Sequence, residues 1–198
     1  MIARHYNDLK KIIILLIVAA VAYNIYFSDY VQKKYYYPLV YTETIQEVCK
    51  QYKLDPFFIL ALIKNESKFN PQAKSANGAL GLMQIMPETG MWIAEQTKWK
   101  NFAATSLEDP TINIKFGSWY ISELEHEFWG NEILILAAYN AGRGNVKTWI
   151  EKYGWNKNFS DINAIPFVET QIYIRRILHD KQTFSKYYLD KFKLNIDN

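Results

Sequence analysis

A single cysteine, Cys49, stands in the 198 residues. It excludes an intrachain disulfide, so cross-links contribute nothing to holding the fold together. Its place after Val48 in a helical pattern marks it as a small core residue. The three histidines, His5, His126 and His179, are far apart and share no motif. No Cys/His spacing suits a metal, and neither a metal nor an organic cofactor is implied. Net charge is also small. The net charge is +3, and no basic run interleaves with aromatics, so nothing argues for nucleic acid. Strand-like alternation never persists beyond a few residues, and no fixed-period repeat stands out. Aromatic residues are plentiful: fifteen Tyr, eleven Phe and six Trp. A ring-rich core explains them, and so does a groove on which pyranose faces stack; composition alone favours the core.

The first 28 residues read as a membrane anchor or signal segment. Arg4, Lys10 and Lys11 precede an apolar run from Ile12 to Phe27 that only Asn24 interrupts. Sixteen helical residues span about 24 Å, somewhat short of the ~30 Å hydrocarbon core. Tyr26 and Tyr30 at the interface, with snorkelling Lys33 and Lys34, can absorb the difference. The basic flank lies on the N-terminal side, which puts the rest of the chain outside, as a single-pass protein. Ala20-Val21-Ala22 fits a cleavage site, so a secreted product of a cleaved signal is the rival. Residues 29–40 are a Tyr- and Lys-rich connector.

Residues 41–190 read as one mainly α domain. Thr42 is positioned to cap a helix through about Tyr52. Asp55-Pro56 gives a strong start signal, a side-chain acceptor followed by proline at the first helical position. The helix after it, through Phe57-Phe58-Ile59-Leu60-Ala61-Leu62-Ile63 to about Ser67, is apolar nearly all round and should be the buried centre. Asn70-Pro71 ends it, and 72–86 is loop. Pro87 opens a helix to about Thr97, and Asp109-Pro110 opens another to about Trp129. Asn131 caps a helix that Gly142 and Gly144 stop. Asn145 is placed to cap a short helix to Tyr153, and Pro166 starts the last one, to about Tyr188.

Ile59, Leu62, Ile63 and Glu66 are spaced i, i+3, i+4, i+7 and share one helix face. The stripe that buries the helix therefore ends in an acid. Burial disfavours the charged carboxylate and raises its pKa, which suits a general acid that protonates a leaving oxygen. A solvated glutamate at a frayed helix end is the plainer reading of Glu66 taken alone.

Its surroundings change the balance. Glu66-Ser67-Lys68-Phe69-Asn70-Pro71 resembles the glutamate motif of the soluble-type lytic transglycosylases, which have a lysozyme-like fold. Gly78-Ala79-Leu80-Gly81-Leu82-Met83-Gln84-Ile85-Met86-Pro87 resembles their second motif. Ala138-Tyr139-Asn140-Ala141-Gly142 resembles the third, and Pro166-Phe167-Val168-Glu169-Thr170-Gln171-Ile172-Tyr173 the fourth. The four stand in the family's order over about residues 40–185. The resemblance implies Glu66 as catalytic acid and Tyr173 as the group that orients it. It also implies Ser75, Gly81, Met83, Gln84, Tyr139 and Asn140 as contacts to substrate. Plainer readings stand beside these: a turn for Gly81, core packing for Met83 and Tyr139, and capping for Asn140.

The implied substrate is the glycan strand of peptidoglycan, cut between N-acetylmuramic acid and N-acetylglucosamine. An ordinary glycosidase needs two carboxylates, and only Glu88 and Glu169 stand near these motifs. A lytic transglycosylase needs one. The substrate's acetamido group stabilises the cationic centre, and its C6 hydroxyl attacks to leave a 1,6-anhydro end. A muramidase-type hydrolase and a catalytically idle wall-binding module are the alternatives. One departure stands out: the family commonly has an arginine directly after the Glu-Thr pair, where this chain has Gln171.

Overall fold

The structure, a computed structural model, describes residues 2–193. The chain divides into two compact units, one through Val40 and one from Tyr41. The first unit is helical. Helix α1, Ile2–Tyr26, carries the basic flank as well as the apolar run. Its Leu9–Tyr26 stretch is long and apolar enough to cross a membrane. Asn24, the polar interruption, donates its side-chain amide to the Ala20 carbonyl at 2.8 Å. A bond within the helix lowers the cost of putting that amide in an apolar medium. The connector is helical too. It holds a single turn, α2 (Asp29–Val31), capped by Ser28, and then a π-helical turn, Gln32–Tyr36.

The second unit is a helical body. Its helices are α3 (Thr42–Tyr52), α4 (Pro56–Ser67), α5 (Pro87–Gln96), α6 (Pro110–Glu127), α7 (Glu132–Ala141), α8 (Arg143–Tyr153) and α9 (Val168–Lys193). Two 3-10 turns, Ala104–Glu108 and Ile162–Ala164, went unforeseen in the sequence. Among the described residues there is no β-strand, only isolated bridges pairing Leu80 with Lys74 and Ile85.

The start signals act as their chemistry dictates. Asp55 accepts from the Phe57 N–H, Asp109 from Ile112, and Asn131 from both Ile133 and Leu134. Three boundaries differ from the sequence reading. Thr42 is the first helical residue rather than the cap; the cap position falls to Tyr41, in left-handed backbone with no side-chain bond. Asn145 does not cap α8, which begins at Arg143; its amide instead donates back to the Ala141 carbonyl. Helix α9 begins at Val168, two residues beyond Pro166, and runs past Tyr188 to Lys193.

Helix α4 is the buried centre. Phe57 through Ile63 are all buried, with Ile59, Leu60, Leu62 and Ile63 fully so. At about 1.5–3 kcal/mol for each large apolar side chain, this one helix carries a large part of the hydrophobic stabilisation. It packs chiefly against α9 and also against α3, while α7 packs against α6, α8 and α9.

Candidate active site

Helix α4 stops sharply one residue after Glu66. Lys68 and Phe69 both take left-handed backbone, φ 54° and 63°, a conformation that non-glycine residues adopt at a cost. Packing holds the turn: the Phe69 ring meets Phe184 of α9 edge-on at 6.2 Å. Just before Glu66, Lys64 pairs with the buried Asp180 of α9 at 2.7 Å, and the Asn65 amide donates to the same carboxylate at 2.8 Å. The end of α4 is thus clamped to α9 on the side that carries Tyr173, two turns before Asp180.

That clamp brings Tyr173 to Glu66. The phenol donates to Glu66 Oε1 at 2.5 Å. Burial pushes the Glu66 carboxyl up from its ordinary value to about 7, and the Tyr173 bond opposes the rise without cancelling it. Burial, then the neighbouring Glu66 charge, pushes the Tyr173 phenol well above its ordinary range, so it stays a donor at working pH. A carboxyl that accepts on one oxygen keeps its own proton on the other. The pair can therefore present one transferable proton near neutral pH.

The Gly-rich loop is held from within. Gly81 lies in left-handed backbone, φ 77°, and a Cβ there would sit 2.2 Å from the Asn113 side chain and 2.3 Å from the Leu107 carbonyl. Only glycine fits. Asn113 itself is fully buried in α6. It donates to the Leu80 and Leu107 carbonyls and accepts from the Met83 N–H, which ties this loop to α6 and to the 3-10 turn Ala104–Glu108. The sequence reading missed Asn113. The available signal was an amide at the fourth residue after Asp109, among Ile112, Ile114 and Phe116.

The other expected contacts separate into groups. Met83 is fully buried and its side chain packs against Gly117, whose missing Cβ makes the room, which favours core packing over a substrate contact. What Met83 turns toward the site is its carbonyl, which accepts the Tyr139 hydroxyl at 2.7 Å. Gln84, at φ 48°, spends its amide N–H₂ on the Ala73 and Gly81 carbonyls and keeps its carbonyl oxygen as an acceptor. Ser75 accepts the Ala79 N–H at 2.9 Å and tightens the loop. Asn140 is exposed, and its carbonyl oxygen accepts from the buried Thr170 at 2.7 Å, which leaves its N–H₂ free to donate.

Two depressions meet at Asn140. One, of about 410 Å³, is lined by Asn65, Asn140, Glu169, Ile172, Tyr173 and Arg176. The other, of about 310 Å³, has Gln84, Met86, Tyr120, Tyr139 and Asn140 in its lining. The Tyr120 and Tyr139 rings lie 5.7 Å apart, so the second depression has an aromatic wall. Of the carboxylates weighed as a second acid, Glu88 sits exposed in the first turn of α5 and Glu169 exposed in the first turn of α9. Among the described residues no cluster of three or more His, Cys, Asp and Glu could hold a metal. Gln171, in the place where an arginine is usual, ties α9 to the preceding turn by donating to the Ile165 carbonyl at 2.7 Å and the Asn163 carbonyl at 3.3 Å.

Known proteins resemble this chain in sequence and in fold. The soluble lytic murein transglycosylase of Escherichia coli K12 is 32% identical over 152 residues, covering 76% of this chain and 23% of that protein. Membrane-bound lytic murein transglycosylase C of Sodalis glossinidius is 31% identical over 160 residues, covering 76% of this chain and 44% of that protein. The chain thus spans about a quarter to somewhat under half the length of these relatives. Among solved structures, the 70 kDa soluble lytic transglycosylase of Escherichia coli superposes with a TM-score of 0.72 at 30% identity. The match covers 80% of this chain and 26% of that one. The Slt lytic transglycosylase of Pseudomonas aeruginosa, solved as an inactive glutamate-to-glutamine mutant, gives 0.68 at 29% identity, covering 89% and 30%. The fold is the lysozyme-like one of these enzymes. Residues 43–162 match the Transglycosylase SLT domain, and with that match over more than half of its length the chain belongs to the transglycosylase SLT domain family.

Proposed function

We propose that this chain is a lytic transglycosylase that cuts the glycan strand of peptidoglycan between N-acetylmuramic acid and N-acetylglucosamine without consuming water. The observation that carries the reading is the Glu66–Tyr173 pair: a carboxyl raised to about 7 by burial and held by a phenol that stays protonated. Glu66 donates its proton to the glycosidic oxygen as that bond breaks. The acetamido group of the muramoyl residue stabilises the positive centre left behind. Glu66, now a carboxylate, takes the proton of the C6 hydroxyl as that oxygen closes the 1,6-anhydro ring. One carboxyl serves as acid and then as base, as a raised pKa near working pH allows. Gln84, Tyr139 and Asn140 line the groove that holds the sugars, while Ser75 and Gly81 shape the loop beside it. The relatives are named for action on murein, and one neighbour is inactive after a glutamate-to-glutamine change, which is in keeping with an essential glutamate on this fold.

The reading extends to residues 1–28, which hold the enzyme in a membrane with residues 41–190 as the catalytic domain on the wall-facing side. Lys10 and Lys11 before an exposed apolar helix support it. Extraction tests the anchor: the protein resists high salt and leaves with detergent. A mature N-terminus near residue 23 overturns it in favour of a cleaved signal.

The decisive experiment on the chemistry digests glycan strands in ¹⁸O-labelled water. Unlabelled anhydro ends are expected from the parent, with turnover lower by at least about 10²-fold in Glu66→Gln. Labelled reducing ends as the main product overturn the reading in favour of a hydrolase and direct the search to Glu88, Glu95 and Glu169. Binding with no turnover at all indicates an idle wall-binding module.

A further inference from the structure

Helix α1 does not run on into the connector; the chain turns back just beyond the apolar stretch. Ser28 takes extended backbone, φ −65° and ψ 142°, between α1 and α2. Its hydroxyl donates to the Ile25 carbonyl at 2.6 Å. Beyond that break the side-chain amide of Gln32 donates to the Tyr26 carbonyl, at the end of α1, at 2.8 Å. The Tyr26 and Tyr36 rings then meet at 5.5 Å, nearly edge to face. Ten residues of unbroken helix would hold two such rings about 15 Å apart along the axis. The contact is therefore direct evidence of the turn.

The turn gathers rings of one kind. Phe27 lies 4.5 Å from Tyr23 and 4.9 Å from Tyr26, between ring centroids. The Lys34 ammonium sits over both the Tyr30 and the Tyr35 ring, at 5.4 and 5.3 Å, and donates to the Tyr30 hydroxyl at 3.2 Å. Tyr23, Tyr26, Phe27, Tyr30, Tyr35 and Tyr36 are all exposed, Tyr30 by 69% and Tyr35 by 64%. The charged groups of residues 23–40 are Lys33, Lys34 and one acid, Asp29, which opens α2. Five of the six rings carry a hydroxyl. A partner helix or protein groove asks for small or aliphatic side chains instead. A ring with an apolar body and a wet tip suits the layer where hydrocarbon gives way to water. The rings also continue directly from Leu9–Tyr26, the stretch apolar enough to cross a membrane. Lysines beside them can lay their stems on that apolar surface and carry their ammonium groups to phosphate oxygens.

We propose that residues 23–36 form a collar that binds the phospholipid headgroup layer, with the tyrosine rings at the acyl boundary and Lys33 and Lys34 on lipid phosphates. The connector then lies along the membrane surface and is not a free tether. This goes beyond the anchor reading and is separable from it. Every ring of the collar lies on the C-terminal side of Ala20-Val21-Ala22, so a product cleaved there keeps the whole collar and remains a surface-bound protein.

The test uses the full chain in vesicles of phosphatidylcholine and phosphatidylglycerol. Cys49→Ala removes the native thiol, and one nitroxide is attached through Leu16→Cys, Tyr30→Cys or Tyr35→Cys. Near-ultraviolet circular dichroism confirms that each labelled protein stays folded. The relative access of oxygen and of a water-soluble nickel chelate gives the depth of each label. Labels at 30 and 35 are expected at similar depth, within about 5–10 Å of the acyl boundary. A connector that ran on as helix would carry the label at 35 about 13 Å beyond Tyr26, into water, and that result overturns the proposal. A label at 35 shielded from both probes marks a protein contact in place of lipid and overturns it too. Gln32→Ala with Tyr36→Ala removes both contacts that hold the turn, and Lys33→Glu with Lys34→Glu reverses the charge. Each pair is expected to move the label at 35 outward; if neither does, the collar does not hold the surface and the proposal falls. The label at 16 reports on the anchor alone. Finding it outside the hydrocarbon refutes the anchor, while the depths at 30 and 35 still decide the collar separately.

Discussion

Two helices in this chain are apolar nearly all round, and they end in opposite environments. In α1 the side chains from Ile12 to Tyr26 are open: Leu15 is 68% and Leu16 63% exposed. In α4 the corresponding leucines, Leu60 and Leu62, have no exposed surface. Hydropathy does not separate them. What separates them is what surrounds each run in sequence. Lys10 and Lys11 precede the first, and no cap or turn signal closes it for ten residues or more. Asp55-Pro56 opens the second and the Lys68-Phe69 turn closes it after twelve residues, the length of a helix that packs inside a domain. One run stays open, as the proposed anchor requires, and the other packs against α3 and α9. Only the second can raise the pKa of an acid at its end, because only there does protein displace water around the carboxyl.

Making the same truncation in both helices sharpens the contrast most. Leu60→Ala is expected to destabilise the body by about 2–5 kcal/mol, the cost of a cavity in a packed core. Leu16→Ala should leave the unfolding midpoint of the body unchanged and weaken only retention in the membrane, by about 1 kcal/mol. Denaturant melts and detergent partitioning measure the two effects. A comparable loss of body stability from Leu16→Ala breaks the comparison.

Glu66 offers the next largest effect. Its folded pKa, about 7, lies above the unfolded value near 4.5. The folded state therefore binds the proton more tightly. The stabilising contribution is complete below about pH 4.5 and is lost as pH rises through about 7. Glu66→Gln cannot ionise and escapes this loss. Its stability relative to the parent should rise by up to about 3 kcal/mol between pH 4 and pH 9. Parallel melts at the two pH values test it; a difference that does not change with pH shows that the carboxyl is solvated and that α4 does not bury its end. The same titration requires turnover to fall as pH rises through about 7, since the ionised carboxyl has no proton to donate.

Tyr173→Phe separates positioning from burial. The phenol lowers the Glu66 pKa while burial raises it. Removing the hydroxyl should move the falling limb of the pH–rate profile upward, toward higher pH, with a lower maximum because the acid is no longer held. A limb that moves down, or stays with an unchanged maximum, means that Tyr173 does not act on Glu66.

The sequence exposes these features unevenly, and for physical reasons. Caps such as Asp55, Asp109 and Asn131 are legible because the interaction is local, one side chain to an N–H two or three residues on. The i, i+3, i+4, i+7 stripe that ends in Glu66 is legible because helical period is local too. The Glu66–Tyr173 bond spans 107 residues and came only through motif resemblance. Asn113 stayed hidden because its three partners, Leu80, Met83 and Leu107, lie in other elements. Met83 reads both ways in the sequence because a motif does not record the side to which a side chain turns; the space at Gly117 receives it.

The smallest effect probes the signal that distinguishes α4 from α1. Asp55 caps α4 by accepting the Phe57 N–H at 2.8 Å, and its carboxylate also reaches Lys181 at 3.0 Å. Helix α1 has no such partner-bearing cap in its apolar run. Asp55→Ala should cost about 1 kcal/mol, the usual value for losing an N-cap. The partly exposed ion pair adds little, because Lys181 keeps its stronger bond to Glu132. Asp55→Asn retains the cap and loses the pair, so it should lie within about 0.5 kcal/mol of the parent. Chemical denaturation of the three proteins measures both steps. If Asp55→Asn falls as far as Asp55→Ala, the ion pair rather than the cap closes the start of α4, and the local signal is not what sets this helix apart from α1.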